Sequence, residues 1–179
     1  MKHLTDAKVT LASKFGVDAF PTFLLARTLQ FTRINKMHPD HVTVVVRDLA
    51  EARLFFGHLD FEETHAVVIN GDTFSPYMGV EGMEADHVTL VLKGHSPRFE
   101  IQLLHYRNPE PTIASDALSL NKTGYNHLCF SVDDLEGKVE ELEEAGIQPR
   151  TEILEFNNRK LVFLTGPEGI TVELAQWMN

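Results

Sequence analysis

Two histidines stand at equivalent places in two copies of one sequence unit. His41 lies in Asp40-His-Val-Thr-Val-Val-Val-Arg-Asp-Leu49, and His127 lies in Gly124-Tyr-Asn-His-Leu-Cys-Phe-Ser-Val-Asp-Asp-Leu135. In each, an apolar run follows the histidine and Asp-Leu comes seven residues after it. A single strand-start histidine is ordinarily structural, but a symmetric pair points to a shared site. Alternation along a strand puts His41, Thr43 and Val45 on one face and Val42, Val44 and Val46 on the other. By the same rule His127, Cys129 and Ser131 oppose Leu128, Phe130 and Val132. The last strand of each unit, Ile101-Gln-Leu103 and Val172-Glu-Leu174, places Gln102 and Glu173 opposite an apolar face. If the units form a cupped sheet, His41, Gln102, His127 and Glu173 point into it. Two imidazoles, an amide oxygen and a carboxylate are a borderline N/O donor set for a divalent metal, with coordination positions left open. A glutamate in an apolar strand also needs a partner. Glu100 shares the face of Gln102 and is the alternative ligand if the register shifts by two.

The elements that must position these groups form two β-α-β-β-β units. In the first, strands are expected over 41–47, 61–69, 87–93 and 98–106. Asp48-Leu-Ala-Glu51 is a capping-box pattern opening a helix that Gly57 should stop. The segment from Asn70 to Ala85 reads as a long Gly/Pro-interrupted loop, with Phe74, Tyr77 and Met78 available to line a pocket. Residues 107–123, with Pro109 and Pro111, read as a linker. In the second unit, strands are expected over 127–132, 148–156, 160–164 and 170–176. Asp134 caps a helix whose Leu135, Val139, Leu142 and Ala145 keep helical spacing until Gly146. The fold class is α+β, with two tandem βαβββ modules forming a cupped mixed sheet around a metal site. The domain plan is an N-terminal extension of unassigned role (1–36), module one (38–106), the linker (107–123) and module two (124–179). His87, in an Asp-His-Val-Thr run identical to residues 40–43, has no mate in the second unit. It is assigned no role, like His38, His58, His65, His95 and His105.

Composition narrows the function. A formal net charge of −10 argues against nucleic acid or an anionic membrane as partner. The single cysteine, Cys129, allows no disulfide framework and reads as a buried structural thiol. No stretch reaches the roughly 20 apolar residues of a membrane span. Asp6, Asp18 and Pro21 spoil any signal-peptide pattern, so a cytoplasmic location is expected.

These motifs resemble the vicinal oxygen chelate superfamily, which includes glyoxalase I, methylmalonyl-CoA epimerase, fosfomycin-resistance enzymes, extradiol dioxygenases and bleomycin-resistance proteins. The resemblance is carried by His41-x6-Asp48-Leu49, Ile101-Gln102-Leu103, Gly124-x-x-His127 and Gly166-Pro-Glu-Gly-x-x-Val-Glu173-Leu, and it covers residues 38–179. It implies metal ligands at His41, Gln102, His127 and Glu173, a pattern most like the epimerase branch, and one divalent ion (Zn, Ni, Co, Mn or Fe). It further implies a small-molecule substrate, a homodimer, and proton transfer next to a metal-bound carbonyl, with Glu173 or Glu100 as base. A CoA ester would want basic groups at the pocket rim, for which Arg150, Arg159, Lys160 and Lys93 are available. Extradiol dioxygenases carry a His and a Tyr-rich step before the last glutamate, which 162–167 lacks. Yet His41, His127 and Glu173 alone match a two-histidine, one-carboxylate triad. A dioxygenase and a non-enzymatic antibiotic-binding resistance protein are therefore the alternatives to an isomerase, epimerase or lyase.

Overall fold

A computed structural model describes residues 37–113 and 115–178; the N-terminal extension expected over 1–36 lies outside them. Module one runs β1 (His41–Val45), α1 (Leu49–His58), β2 (Phe61–Asn70), α2 (Gly71–Met78), β3 (Glu84–Leu92) and β4 (Glu100–Asn108). Module two runs β5 (Leu128–Ser131), α3 (Leu135–Glu144), β6 (Leu154–Phe156), β7 (Arg159–Thr165), a 3-10 turn (Pro167–Gly169) and β8 (Thr171–Trp177). The result is an α+β fold with two four-stranded mixed sheets, ordered β1-β4-β3-β2 and β5-β8-β7-β6. In each, the histidine strand is an edge strand and pairs in parallel with the last strand of its own module.

The repeated Asp-Leu explains the repeated helix. Asp48 Oδ1 accepts from the Glu51 amide at 2.9 Å, and Asp134 Oδ1 accepts from the Gly137 amide at 3.1 Å. Each satisfies an amide that the first helical turn leaves unpaired. Gly57 does not stop α1, which continues to His58. Phe55, Phe56 and Leu59 are all buried there, and that packing outweighs the roughly 1 kcal/mol helix penalty of one glycine.

Two further expectations are corrected. The 70–85 segment is not a long loop, because residues 71–78 form α2 despite Pro76. Phe74 packs there against Ile69, Met83, Ala85 and Leu104. Gly79, left-handed at φ 68°, closes the helix. The 148–156 strand shrinks to Leu154–Phe156, with one isolated bridge from Pro149 to Leu164. Proline cannot donate to the ladder, and the Thr151 hydroxyl instead accepts from the Phe163 amide.

One core serves both modules. Ile101 and Leu103 of β4, Val172 and Leu174 of β8, and Leu135 and Leu142 of α3 are all fully or almost fully buried in it. The modules meet on these helix-covered faces. Phe130 packs edge-on against Phe61 and Phe99, with centroids 5.5 and 6.2 Å apart. Phe55 of α1 lies so close to Gly166 that a Cβ there would come within 2.8 Å of its ring. Glu168 accepts from both the backbone amide and the Nε of Arg47, and Lys138 reaches Asp60. Among the described residues, the opposite face of each sheet, carrying the candidate site residues, has no helix layer except where α2 covers one end of the first sheet.

Candidate metal centre

In module two, His127 precedes β5 and Glu173 lies on β8. Parallel pairing sets Cys129 opposite Glu173, and the His127 ring meets Phe163 edge-on at 5.2 Å. His127 Nδ1 is 2.7 Å from Asn126 Oδ1. An amide oxygen only accepts, so this contact is a hydrogen bond in the tautomer with the hydrogen on Nδ1, the one that would present the Nε2 lone pair to a metal. That Nε2 lies 3.5 Å from Glu173 Oε2.

Cys129 is exposed on this open face, which corrects the buried-thiol expectation. It lies on the inward-turned strand face, where no helix covers it. Desolvation by its surroundings, and then the neighbouring Glu173, push its thiol up to about 12. It stands beside Glu173 on the site face.

Module one is wired differently. His41 Nδ1 lies 2.7 Å from Asp40 Oδ2, which again frees Nε2. Gln102 Oε1 accepts from His87 Nε2 at 3.1 Å and from the Thr43 hydroxyl at 3.4 Å. Gln102 Nε2 donates to Glu100 Oε2 at 3.1 Å, and Arg98 Nε donates to Glu100 Oε1 at 2.6 Å. The Gln102 amide beside Glu100, helped by Arg98, holds that carboxyl below the usual carboxylate range. His87, assigned no role from sequence, is therefore in contact with the candidate group Gln102. The signal was its run of residues identical to 40–43. What hid it was pairing, since only the observed register, Thr89 opposite Gln102, puts it on the site face.

The structure thus brings His127 together with Glu173, and Gln102 together with Glu100 and His87. It does not bring the two halves together. Among the described residues, no three His, Cys, Asp or Glu side chains converge on a common point.

The chemistry of each half nonetheless fits a divalent ion. Both histidines offer Nε2 with Nδ1 anchored to an oxygen, the outer arrangement that orients a ligating imidazole. Two donors bound at about 2.1 Å to one ion lie roughly 3.0–3.5 Å apart, and the His127–Glu173 separation matches. Gln102 fits least well, because both lone pairs of its oxygen are already engaged.

A family model described as the glyoxalase/bleomycin resistance protein/dioxygenase superfamily matches residues 40–163, and the chain belongs to that superfamily. It is 37% identical to glyoxalase I of Saccharomyces cerevisiae over 54 residues, a match covering 30% of this chain but only 17% of the yeast protein. Among solved structures, a glyoxalase family protein from Bacillus cereus aligns over 82% of this chain and 99% of its own length. The TM-score is 0.70 and the identity 26%. A mutant glyoxalase I from Zea mays shares the fold, with a TM-score of 0.56 at 15% identity over 78% of this chain and 45% of that one. No described helix is long and apolar enough to cross a membrane.

Proposed function

We propose that this chain is a metal-dependent isomerase, epimerase or lyase, acting by proton transfer next to the carbonyl of a small acyl or oxo substrate. The observation that carries the reading is the paired presentation of His127 Nε2 and Glu173 Oε2 at 3.5 Å, with His127 Nδ1 anchored on Asn126. His41, His127 and Glu173 would hold a divalent ion, with Gln102 beside it; such an ion supplies Lewis-acid polarisation of a carbonyl. Glu173 is the better of the two candidate bases. Both oxygens of Glu100 are already engaged, one by Gln102 Nε2 and the other by Arg98 Nε. Glu173 takes the proton from the carbon beside the carbonyl and returns it. Thr43 and His87 fix the Gln102 amide meanwhile.

Because the halves do not converge within one chain, the reading includes a cytoplasmic homodimer. The open face of module one in one copy would meet the open face of module two in the other. The test is complementation. Inactive His41→Ala and His127→Ala chains, unfolded and refolded as an equal mixture, would recover about a quarter of wild-type metal sites and activity. Half of random dimers are mixed, and each mixed dimer holds one intact site of two. No recovery would confine the site to a single chain and overturn the shared-site reading.

A second reading has an observation in its favour. With both lone pairs of Gln102 Oε1 engaged by His87 and Thr43, the remaining donors are His41, His127 and Glu173, a two-histidine, one-carboxylate set suited to Fe(II) dioxygenases. Oxygen uptake by Fe(II)-reconstituted protein with catechols would select it.

A further inference from the structure

The open face of module two continues past Glu173 into an apolar surface with a cation on it. Register pairs Trp177 with Arg159, Arg159 with Phe156, and Leu161 with Leu154, all on the same face as Glu173. Leu154, Phe156 and Trp177 are more than half exposed. The Arg159 Cζ lies over the Trp177 ring, 3.7 Å from its centroid. The other described arginines are committed. Arg47, Arg53, Arg98 and Arg107 pair with carboxylates, and Arg150 donates to the Leu118 carbonyl and the Thr171 hydroxyl. Lys160 is committed to Glu136. Among the described residues Arg159 enters no ion pair, although the chain carries an excess of acid.

An arginine stacked on an aromatic keeps its edge donors free while its flat face is desolvated, the arrangement that favours a planar or tetrahedral anion. Trp177 lies four residues along β8 from Glu173, about 13 Å at strand rise. We propose that Arg159 and Trp177, with Phe156 and Leu154, form an anion-recognition platform for the distal end of the substrate. The substrate is then an acyl or oxo compound whose reacting carbonyl lies at the His127–Glu173 end. An apolar spacer crosses Leu161 and Leu154, and a carboxylate or phosphate ends on Arg159. This rests on the function proposed above for the His127–Glu173 end, but the platform binds its anion without a metal.

Trp177 is the only tryptophan in the chain, so its emission reports on the platform directly. The full chain would be titrated with octanoate, octyl phosphate and the neutral octanamide, in chelator and then with added Zn(II). At least one anion is expected to bind about fivefold or more tightly than octanamide, the scale of one ion pair near a surface. The stronger of the two identifies the headgroup. Arg159→Gln should abolish the preference and Arg159→Lys keep part of it. Equal binding of octanamide, or an unchanged preference in Arg159→Gln, would overturn the platform. So would emission that follows protein concentration and ignores both anions, which would assign the surface to a second copy. Anion preference without metal uptake would sink the metal reading alone; metal uptake without anion preference would sink the platform alone.

Discussion

Module two sets its histidine against a carboxylate, whereas module one sets its histidine on the same sheet face as an amide whose oxygen is already engaged. At His127 and Glu173 the two donor atoms face each other at 3.5 Å, with the Cys129 thiol beside the carboxylate. At Gln102 three neighbours hold the amide: His87, Thr43 and Glu100. A duplicated unit has thus kept its backbone plan, its edge-strand histidine and its aspartate cap while dividing the chemistry. One copy sets a carboxylate against its histidine, and the other sets an amide held by its neighbours beside its own.

The largest expected effect probes this division. His127→Ala and Glu173→Gln should each lower metal affinity by about 100-fold or more, against about tenfold for Gln102→Ala, the low end of what outer-shell partners cost. Competition with a chelator of known affinity measures all three, and equal losses would erase the distinction between modules. His87→Phe should cost still less, within about tenfold, and should act only when Gln102 is present. Additive losses in the double variant would show that His87 works independently of the amide.

Next in size are substitutions at the seam that both modules share. Gly166→Ala puts a methyl within 2.8 Å of the Phe55 ring. The expected cost is about 1–3 kcal/mol of overpacking, read as a lower denaturant midpoint in one transition. Two separated transitions would mean that the modules unfold independently.

Smallest is the Arg47–Glu168 clamp. Burial works to raise the Glu168 carboxyl, but the Arg47 amide and guanidinium outweigh it, so the pKa lies below its ordinary value. A carboxylate depressed in the folded state contributes stability above its unfolded pKa and loses it as pH falls through the folded one. Glu168→Gln should therefore cost about 1 kcal/mol at neutral pH, a charge-assisted hydrogen bond discounted for the exposed Arg47 side chain. The variant and parent should converge as the pH falls through the lowered Glu168 pKa. A difference that persists in acid would rule out the charge as its source.

How much of this was legible in the sequence follows from range. Strand alternation alone placed Ile101, Leu103, Val172 and Leu174 in the core, where they are buried. The aspartate caps were readable because a cap acts over three residues. Gly57 misled because its penalty is local while the burial of Phe55 and Phe56 that overrides it is tertiary. Cys129 misled because an apolar run in sequence was taken as buried on both faces, and the strand covers only one. His87 could not be assigned, since its place beside Gln102 depends on antiparallel register across β3 and β4. Alternation also assigned the faces of His41 and Gln102, but not that they stand apart from His127 and Glu173.

Among the described residues, the histidine strands β1 and β5 lie at the edges of their sheets, so each carries one row of backbone amides and carbonyls without a described strand beside it. Such rows are adhesive to any extended chain. Here they adjoin the very residues proposed for catalysis, and neither edge is blunted by a proline within the strand. Solubility and activity therefore draw on one surface: whatever lies against β1 and β5 in the working protein also shields it from aggregation. Dilution, heat or a crowded refolding mixture would then threaten this molecule first at its site, well before its phenylalanine-rich interior comes apart.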